Sequence, residues 1–143
     1  MATTEQGPLI SAREITKTFF TGDRATAGGP GLAPMAASGA TSLTQGSVGV
    51  GLSNRVDWKP AVQFISDLMS EGGLFFRNAS GAVMLAYVAS GRLLGYVEEH
   101  MNAWDCVAGL LMVREAGGRI HNVPSPEMLR DGGLIITGAA GVY

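Results

Sequence analysis

The eight residues from Glu98 to Asp105 (EEHMNAWD) place three carboxylates, an imidazole and an amide immediately ahead of a long apolar segment. Asp105 falls in the first turn of the helix that this segment predicts, with Asn102 as its N-cap. Free backbone N–H groups and the positive end of the helix dipole favour an ionised carboxylate there. Two roles are open to it. An Asn at the cap with an acid three residues on is a stabilising capping arrangement. The same carboxylate, held charged at a strand-loop-helix junction, is also suited to a hard cation such as Mg²⁺, which takes oxygen ligands from one or two carboxylates, water and phosphate. A lone Asp is not a metal site, so that second role requires oxygens from elsewhere.

The neighbours carry similar alternatives. Glu98 closes the preceding strand and is either a solvated turn acid or the acceptor for a substrate hydroxyl. His100 reads as a loop hydrogen-bonder. Trp104 reads as a core anchor, and Cys106 packs under its helix rather than pairing with a His/Asp couple as a nucleophile. Upstream, Asn78-Ala-Ser-Gly81 turns a strand into a helix. Ser80 is suited to cap that helix, and the backbone N–H groups of the turn are suited to an anion. Glycine-rich phosphate motifs of the P-loop or dinucleotide kind are absent.

These groups need elements to position them, and the last two thirds of the chain supply them. Ser47 to Leu52 (SVGVGL) alternates, with Val48, Val50 and Leu52 on one face, and predicts a strand. Asp57 to Ser70 predicts a helix, with Pro60 in its first turn and Trp58, Val62, Ile65 and Met69 at helical spacing; Gly72-Gly73 ends it. Leu74 to Arg77 is a short strand, Ala82 to Ala89 a helix stopped by Ser90-Gly91, and Leu93 to Glu98 a third strand. The helix Ala103 to Ala116 closes at Gly117-Gly118, and Arg119 to Val123 and Leu134 to Gly138 add two strands. About five strands interleaved with three helices define a layered α/β domain with a mixed sheet. Residues 1–40 are poorly patterned: Glu14 to Thr21 is suited to a strand, whereas Thr26 to Pro34 and the Ala/Ser/Gly run to Ala40 read as loop.

Composition narrows the function classes. At 143 residues, 46% hydrophobic and 15% charged, the chain can bury a core and is not a disordered tail. A net charge of −2 with only two lysines, Lys17 and Lys59, gives no pull toward nucleic acid or an anionic membrane. The apolar runs are too short to span a bilayer, the N-terminus lacks the form of a secretory signal, and a single cysteine makes no internal disulfide. The expectation is a soluble, cytoplasmic protein.

Taken together, Arg77 to Gly118 closely resembles the C-terminal signature of the inositol monophosphatase family. The matches are Arg77, the turn Ala79-Ser80-Gly81, the helix Leu85 to Gly91, Tyr96-Val97-Glu98, Trp104-Asp105-Cys106-Val107-Ala108-Gly109 and Glu115-Ala116-Gly117-Gly118. Weaker likeness runs back to about Ala40 and forward to the final strand. The resemblance implies a Mg²⁺-dependent phosphomonoesterase of the sugar-phosphatase fold, acting on an inositol phosphate, a sugar phosphate or an adenosine bisphosphate through metal-activated water. It makes Asp105 the metal-binding aspartate, Glu98 the carboxylate that takes a substrate hydroxyl, and Ala79, Ser80 and Gly81 part of the substrate pocket; Ala79 stands where the family usually has Gly. Family habit is dimeric.

The departures are as informative. The family's other metal ligands include a glutamate and an Asp-Pro-Ile/Leu-Asp-Gly-Thr/Ser motif in its N-terminal half. This chain has no Asp-Pro, and Asp131-Gly132 lies beyond the signature. By length and content, residues 41–143 look like the C-terminal lobe and residues 1–40 like a remnant of the preceding one, with no catalytic residue of its own. The chain by itself is therefore expected to bind Mg²⁺ weakly, to turn over little substrate, and to expose apolar surface that invites homodimerisation or association.

Overall fold

The computed structural model describes residues 18–21, 24–27, 34–53 and 55–143. The chain divides into a unit Met1–Pro34 and a unit Met35–Tyr143. In the first, β1 (Thr18–Thr21) pairs antiparallel with β2 (Arg24–Ala27). The strand expected from Glu14 is thus seen at its C-terminal end. Thr26, expected in a loop, lies in β2, because four consecutive residue pairs put Thr26 opposite Phe19. The remainder of both readings, residues 14–17 and 28–33, lies outside the described residues.

The second unit holds the predicted layered α/β lobe. Its elements are β3 (Ser47–Val50), α1 (Lys59–Ser70), β4 (Leu74–Phe76), α2 (Gly81–Ala89), β5 (Gly95–Met101), α3 (Ala103–Glu115), β6 (Arg119–Ile120), α4 (Pro126–Asp131) and β7 (Gly133–Gly138). The sheet order is β4-β3-β5-β7-β6. β3 runs parallel to both β4 and β5, while β7 is antiparallel to β5 and β6. Glycines stop the helices as expected: Gly72, Gly91 and Gly117 take φ of 79°, 71° and 83°, where a Cβ would be strained.

The core lies on both faces of the sheet. On one, Met84, Leu85 and Val88 of α2 and Cys106, Leu110 and Val113 of α3 pack with Tyr96 and Ile135. Burying each large apolar side chain there contributes roughly 1.5–3 kcal/mol. On the other, Val48, Leu68 and Leu94 form a smaller cluster with Phe64. The spacing 106, 110, 113 is the helical stripe that defines the buried side of α3.

Several expectations are corrected. Trp104 is not a core anchor; it is 79% exposed. It precedes Cys106 by two residues, about 200° around a helix, so burying Cys106 turns Trp104 outward. In α1 the stripe Trp58, Val62 and Met69 is exposed, while Ala61 and Leu68 are buried. That helix carries two apolar stripes at helical spacing, and the one with the smaller residue faces the sheet. Leu52 lies beyond the end of β3 and is exposed. β6 is shorter than the expected Arg119 to Val123, and α4 is a helix beyond the three expected. Its signal was Ser125-Pro126: the Ser125 hydroxyl accepts from the Met128 N–H at 3.2 Å and proline occupies the first turn.

Candidate functional site

The turn before α2 is built by two short-range side chains. Asn78 Oδ1 accepts from the Ser80 N–H at 3.1 Å, and Ser80 Oγ accepts from the Val83 N–H at 3.4 Å. Ser80 is therefore the N-cap that its sequence position predicts. Gly81 and Ala82 of α2 line the same cleft as Asn102 and Asp105 at the start of α3.

At that start the capping alternative for Asp105 fails. Asn102 occupies the N-cap position with extended backbone but makes no side-chain capping bond. The Asp105 N–H donates to the Asn102 carbonyl at 3.0 Å, while the exposed Asp105 carboxylate has no hydrogen bond or ion pair among the described residues. It is a free charge at a helix N-terminus, where the dipole stabilises it.

Glu98 is not the last residue of its strand. β5 continues to Met101, and its pairing with β7 shifts register between Glu98 and Met101. Such irregularities re-aim side chains. His100, expected in a loop, is consequently a strand residue, and its imidazole makes no hydrogen bond among the described residues. The Glu98 carboxylate accepts the hydroxyl proton of Tyr96, which is 1% exposed.

A polar cleft of about 510 Å³ gathers these groups. Glu98 and His100 from β5, Asp105 from α3, and Ala79, Ser80 and Gly81 ahead of and at the start of α2 all line it. All five residues singled out from the sequence for the site therefore meet in one place. It lies beyond the carboxyl ends of the parallel strands β3, β4 and β5, where open α/β sheets bind ligands. Two arginines share the cleft. Arg77 follows β4 and belongs to the family-like stretch Arg77 to Gly118, whereas Arg55 lies in the segment after β3, where the order of residues carries no signal of a site. Neither forms an ion pair with Glu98 or Asp105; the salt bridges among the described residues are Arg114–Glu115 and Arg130–Asp131. A cleft with two unpaired cations and two carboxylates suits an anionic, hydroxylated ligand. A second cleft, about 470 Å³, lies against Leu43, Phe64, Leu68 and Val142 and is mainly apolar.

The donor set tests a metal directly. Among the described residues, no three His, Cys, Asp or Glu side chains converge to hold an ion. Asp105 presents a single carboxylate to the cleft, fewer oxygens than a Mg²⁺ site needs.

Cys106 lies next to the site without serving it. Burial, then the charges of Asp105 and Glu98, push its thiol from 9.0 up to about 11. A protonated, buried thiol is a poor nucleophile. Because its folded value lies above its unfolded one, the folded state keeps this contribution below pH 9 and loses it as pH rises from 9 toward about 11. In a melting series across that interval, Cys106→Ala is expected to decline less steeply than the parent. An equal slope in the two proteins would show that the thiol does not titrate as described.

A mixed sheet with helices on both faces and a charged cleft at its parallel strand ends defines an α/β lobe. Comparison with known proteins gives its family. The sequence model described as the inositol monophosphatase family matches residues 3–140. The inositol-1-monophosphatase of Mesorhizobium japonicum is 39% identical over 74 residues, 52% of this chain and 28% of that protein. The Nus factor SuhB of Haemophilus influenzae is 45% identical over 69 residues, 48% of this chain and 26% of that protein. The structure of an inositol monophosphatase from Anabaena (Nostoc) superposes with a TM-score of 0.65 at 27% identity, covering 84% of this chain and 47% of that one. The chain belongs to the inositol monophosphatase family. It spans less than half the length of these relatives.

Proposed function

We propose that this chain is the substrate-binding, C-terminal lobe of a Mg²⁺-dependent phosphomonoesterase that hydrolyses an inositol phosphate or a related sugar or nucleotide phosphate. One observation carries the reading: Asp105, Glu98 and the Ala79–Gly81 turn, contributed by separate elements, line a single cleft with two unpaired arginines. Within that cleft the chain's own residues bind and orient. Glu98 accepts from a hydroxyl of the substrate, and the N-terminal N–H groups of α2 with Arg77 attract its anionic group. Asp105 offers one oxygen to a cation whose remaining ligands come from outside the described residues. Mg²⁺ when bound supplies Lewis-acid activation of water.

The test compares two proteins. The 143-residue chain is expected to be folded by circular dichroism and to release little phosphate from inositol 1-phosphate with Mg²⁺. A polypeptide joining it to a family N-terminal half bearing the Asp-Pro-x-Asp-Gly motif is expected to turn over. Absence of Mg²⁺-dependent turnover from a folded joined protein would remove the reading.

A second reading, a non-catalytic interaction module, is favoured by two observations. Relatives carry the name Nus factor, which states no hydrolysis. The sheet also ends in an apolar edge strand, with Leu74, Phe75 and Phe76 of β4 exposed at 63%, 47% and 40%. Unpaired, apolar edges associate, and self-association into a homodimer belongs with either reading. Substantial turnover by the 143-residue chain alone would eliminate the module.

A further inference from the structure

Glu98 and Tyr96 are two residues apart on one strand, so their side chains share a face of the sheet. Tyr96 reaches from the core to the edge of the cleft, its ring buried against α2 and its hydroxyl on Glu98 Oε2. Among the described residues the carboxylate makes no other hydrogen bond, which leaves Oε1 for a ligand. Two backbone positions from different elements enclose this pair. A Cβ at Gly51, just past β3, would lie 2.5 Å from Glu98 Cδ, 2.5 Å from Glu98 Oε2 and 2.5 Å from the Tyr96 hydroxyl. A Cβ at Gly81, the first residue of α2, would lie 3.1 Å from that hydroxyl and 2.4 Å from Met101 Cε. The slot is shaped to the pair, and any side chain at Gly51 would displace it.

We propose that Tyr96 is a positioning residue: it locks the Glu98 carboxylate in one orientation toward the cleft, inside a slot kept open by Gly51 and Gly81, so that Glu98 meets a substrate hydroxyl preorganised. This rests on the reading of Glu98 as the acceptor of that hydroxyl. A half-buried glutamate free to rotate gives up rotamer entropy when it binds. One already held by a buried phenol has lost most of that entropy on folding. Burial and the neighbouring carboxylate raise the Tyr96 phenol well above its usual range, so it stays a donor across the working pH.

Two measurements on the 143-residue chain separate this device from the reading beneath it. Side-chain scalar couplings of Glu98 are expected to report a single χ1 rotamer in the parent and averaging in Tyr96→Phe, whose ring still fills the core. A single rotamer persisting in Tyr96→Phe would overturn the positioning role. Should that variant melt too low to measure, Gly51→Ala is expected to displace the same pair and produce the same averaging, and an unchanged rotamer there overturns it too. In titrations with inositol 1-phosphate, Tyr96→Phe is expected to bind about 5-fold to 10-fold more weakly, the equivalent of one hydrogen bond, and Glu98→Gln at least as weakly. Loss in Glu98→Gln without loss in Tyr96→Phe overturns the positioning role. No loss in either overturns the assignment of Glu98 itself, and the couplings then decide the Tyr96 contact independently.

Discussion

Gly109→Val is expected to destabilise the Met35–Tyr143 unit by about 3 kcal/mol, the upper part of the range for overpacking a core. Gly109 sits on the buried side of α3 where it crosses α2. A Cβ there would lie 2.6 Å from Leu85 Cβ and 2.7 Å from Leu85 Cδ1. The first of these is fixed to the backbone of α2, so rotation of Leu85 does not relieve it, and the two helices must separate. Leu85 is itself fully buried, and separation opens gaps around Met84, Cys106 and Leu110 in the same cluster. Packing lost across a dense interior is not recovered by small shifts. For a unit of this size the melting temperature is expected to fall by at least about 10 °C. Gly109→Ala meets the same contact but gains up to about 1 kcal/mol of helix propensity, so its loss is smaller. Ala108→Val, one residue along on the exposed face, is the control and stays within about 0.5 kcal/mol of the parent. Thermal denaturation followed by circular dichroism measures all three. A Gly109→Val protein that melted with the parent would mean that α2 and α3 do not cross at this glycine.

Asp105→Asn is expected to separate folding from function. In the joined protein described above, it should lower Mg²⁺-dependent phosphate release from inositol 1-phosphate by at least about 100-fold, equivalent to about 2.7 kcal/mol of transition-state stabilisation. Asn conserves volume and shape while removing the charge that a divalent cation requires. The Asp105 carboxylate is exposed and free of hydrogen bonds among the described residues. Its loss forfeits only the solvent-screened attraction of the helix dipole, so stability of the 143-residue chain should fall by no more than about 0.5 kcal/mol. A capping role makes a different forecast: stability falls by about 1 kcal/mol, as for a lost cap bond, and turnover is unaffected. Unchanged turnover in Asp105→Asn would end the metal-ligand assignment whichever way stability moved.

Much of the site was legible in the primary structure because its residues sit at element boundaries, where local chemistry is specific. Ser80 caps α2 from a turn whose bonds span only two and three residues. Asp105 lies in the first turn of a helix whose inward stripe, Cys106, Leu110 and Val113, repeats at helical spacing. The family signature, read from Arg77 to Gly118, lies within the matched range 3–140. Short-range hydrogen bonds and hydrophobic periodicity are properties of neighbours along the chain, so they are written in its order.

What failed was whatever depends on which of two permitted arrangements the rest of the lobe selects. α1 has two apolar stripes, and periodicity alone ranks them equally; the sheet took Ala61 and Leu68 and left Trp58 and Met69 outside. Trp104, expected as a core anchor, is turned to solvent by the rotation of α3 that buries Cys106. The bond from Tyr96 to Glu98 joins near neighbours, but its enclosure by Gly51 and Gly81 comes from two elements distant along the chain. The amino-acid order by itself determined the kinds of most elements, the glycines that stop α1, α2 and α3, and the family they make. The tertiary structure decided which face of each element is buried and that Glu98, Asp105, Arg55 and Arg77 share one cleft, because a side chain's partner across space is set by how sheets and helices stack and leaves no periodic mark in the order of residues.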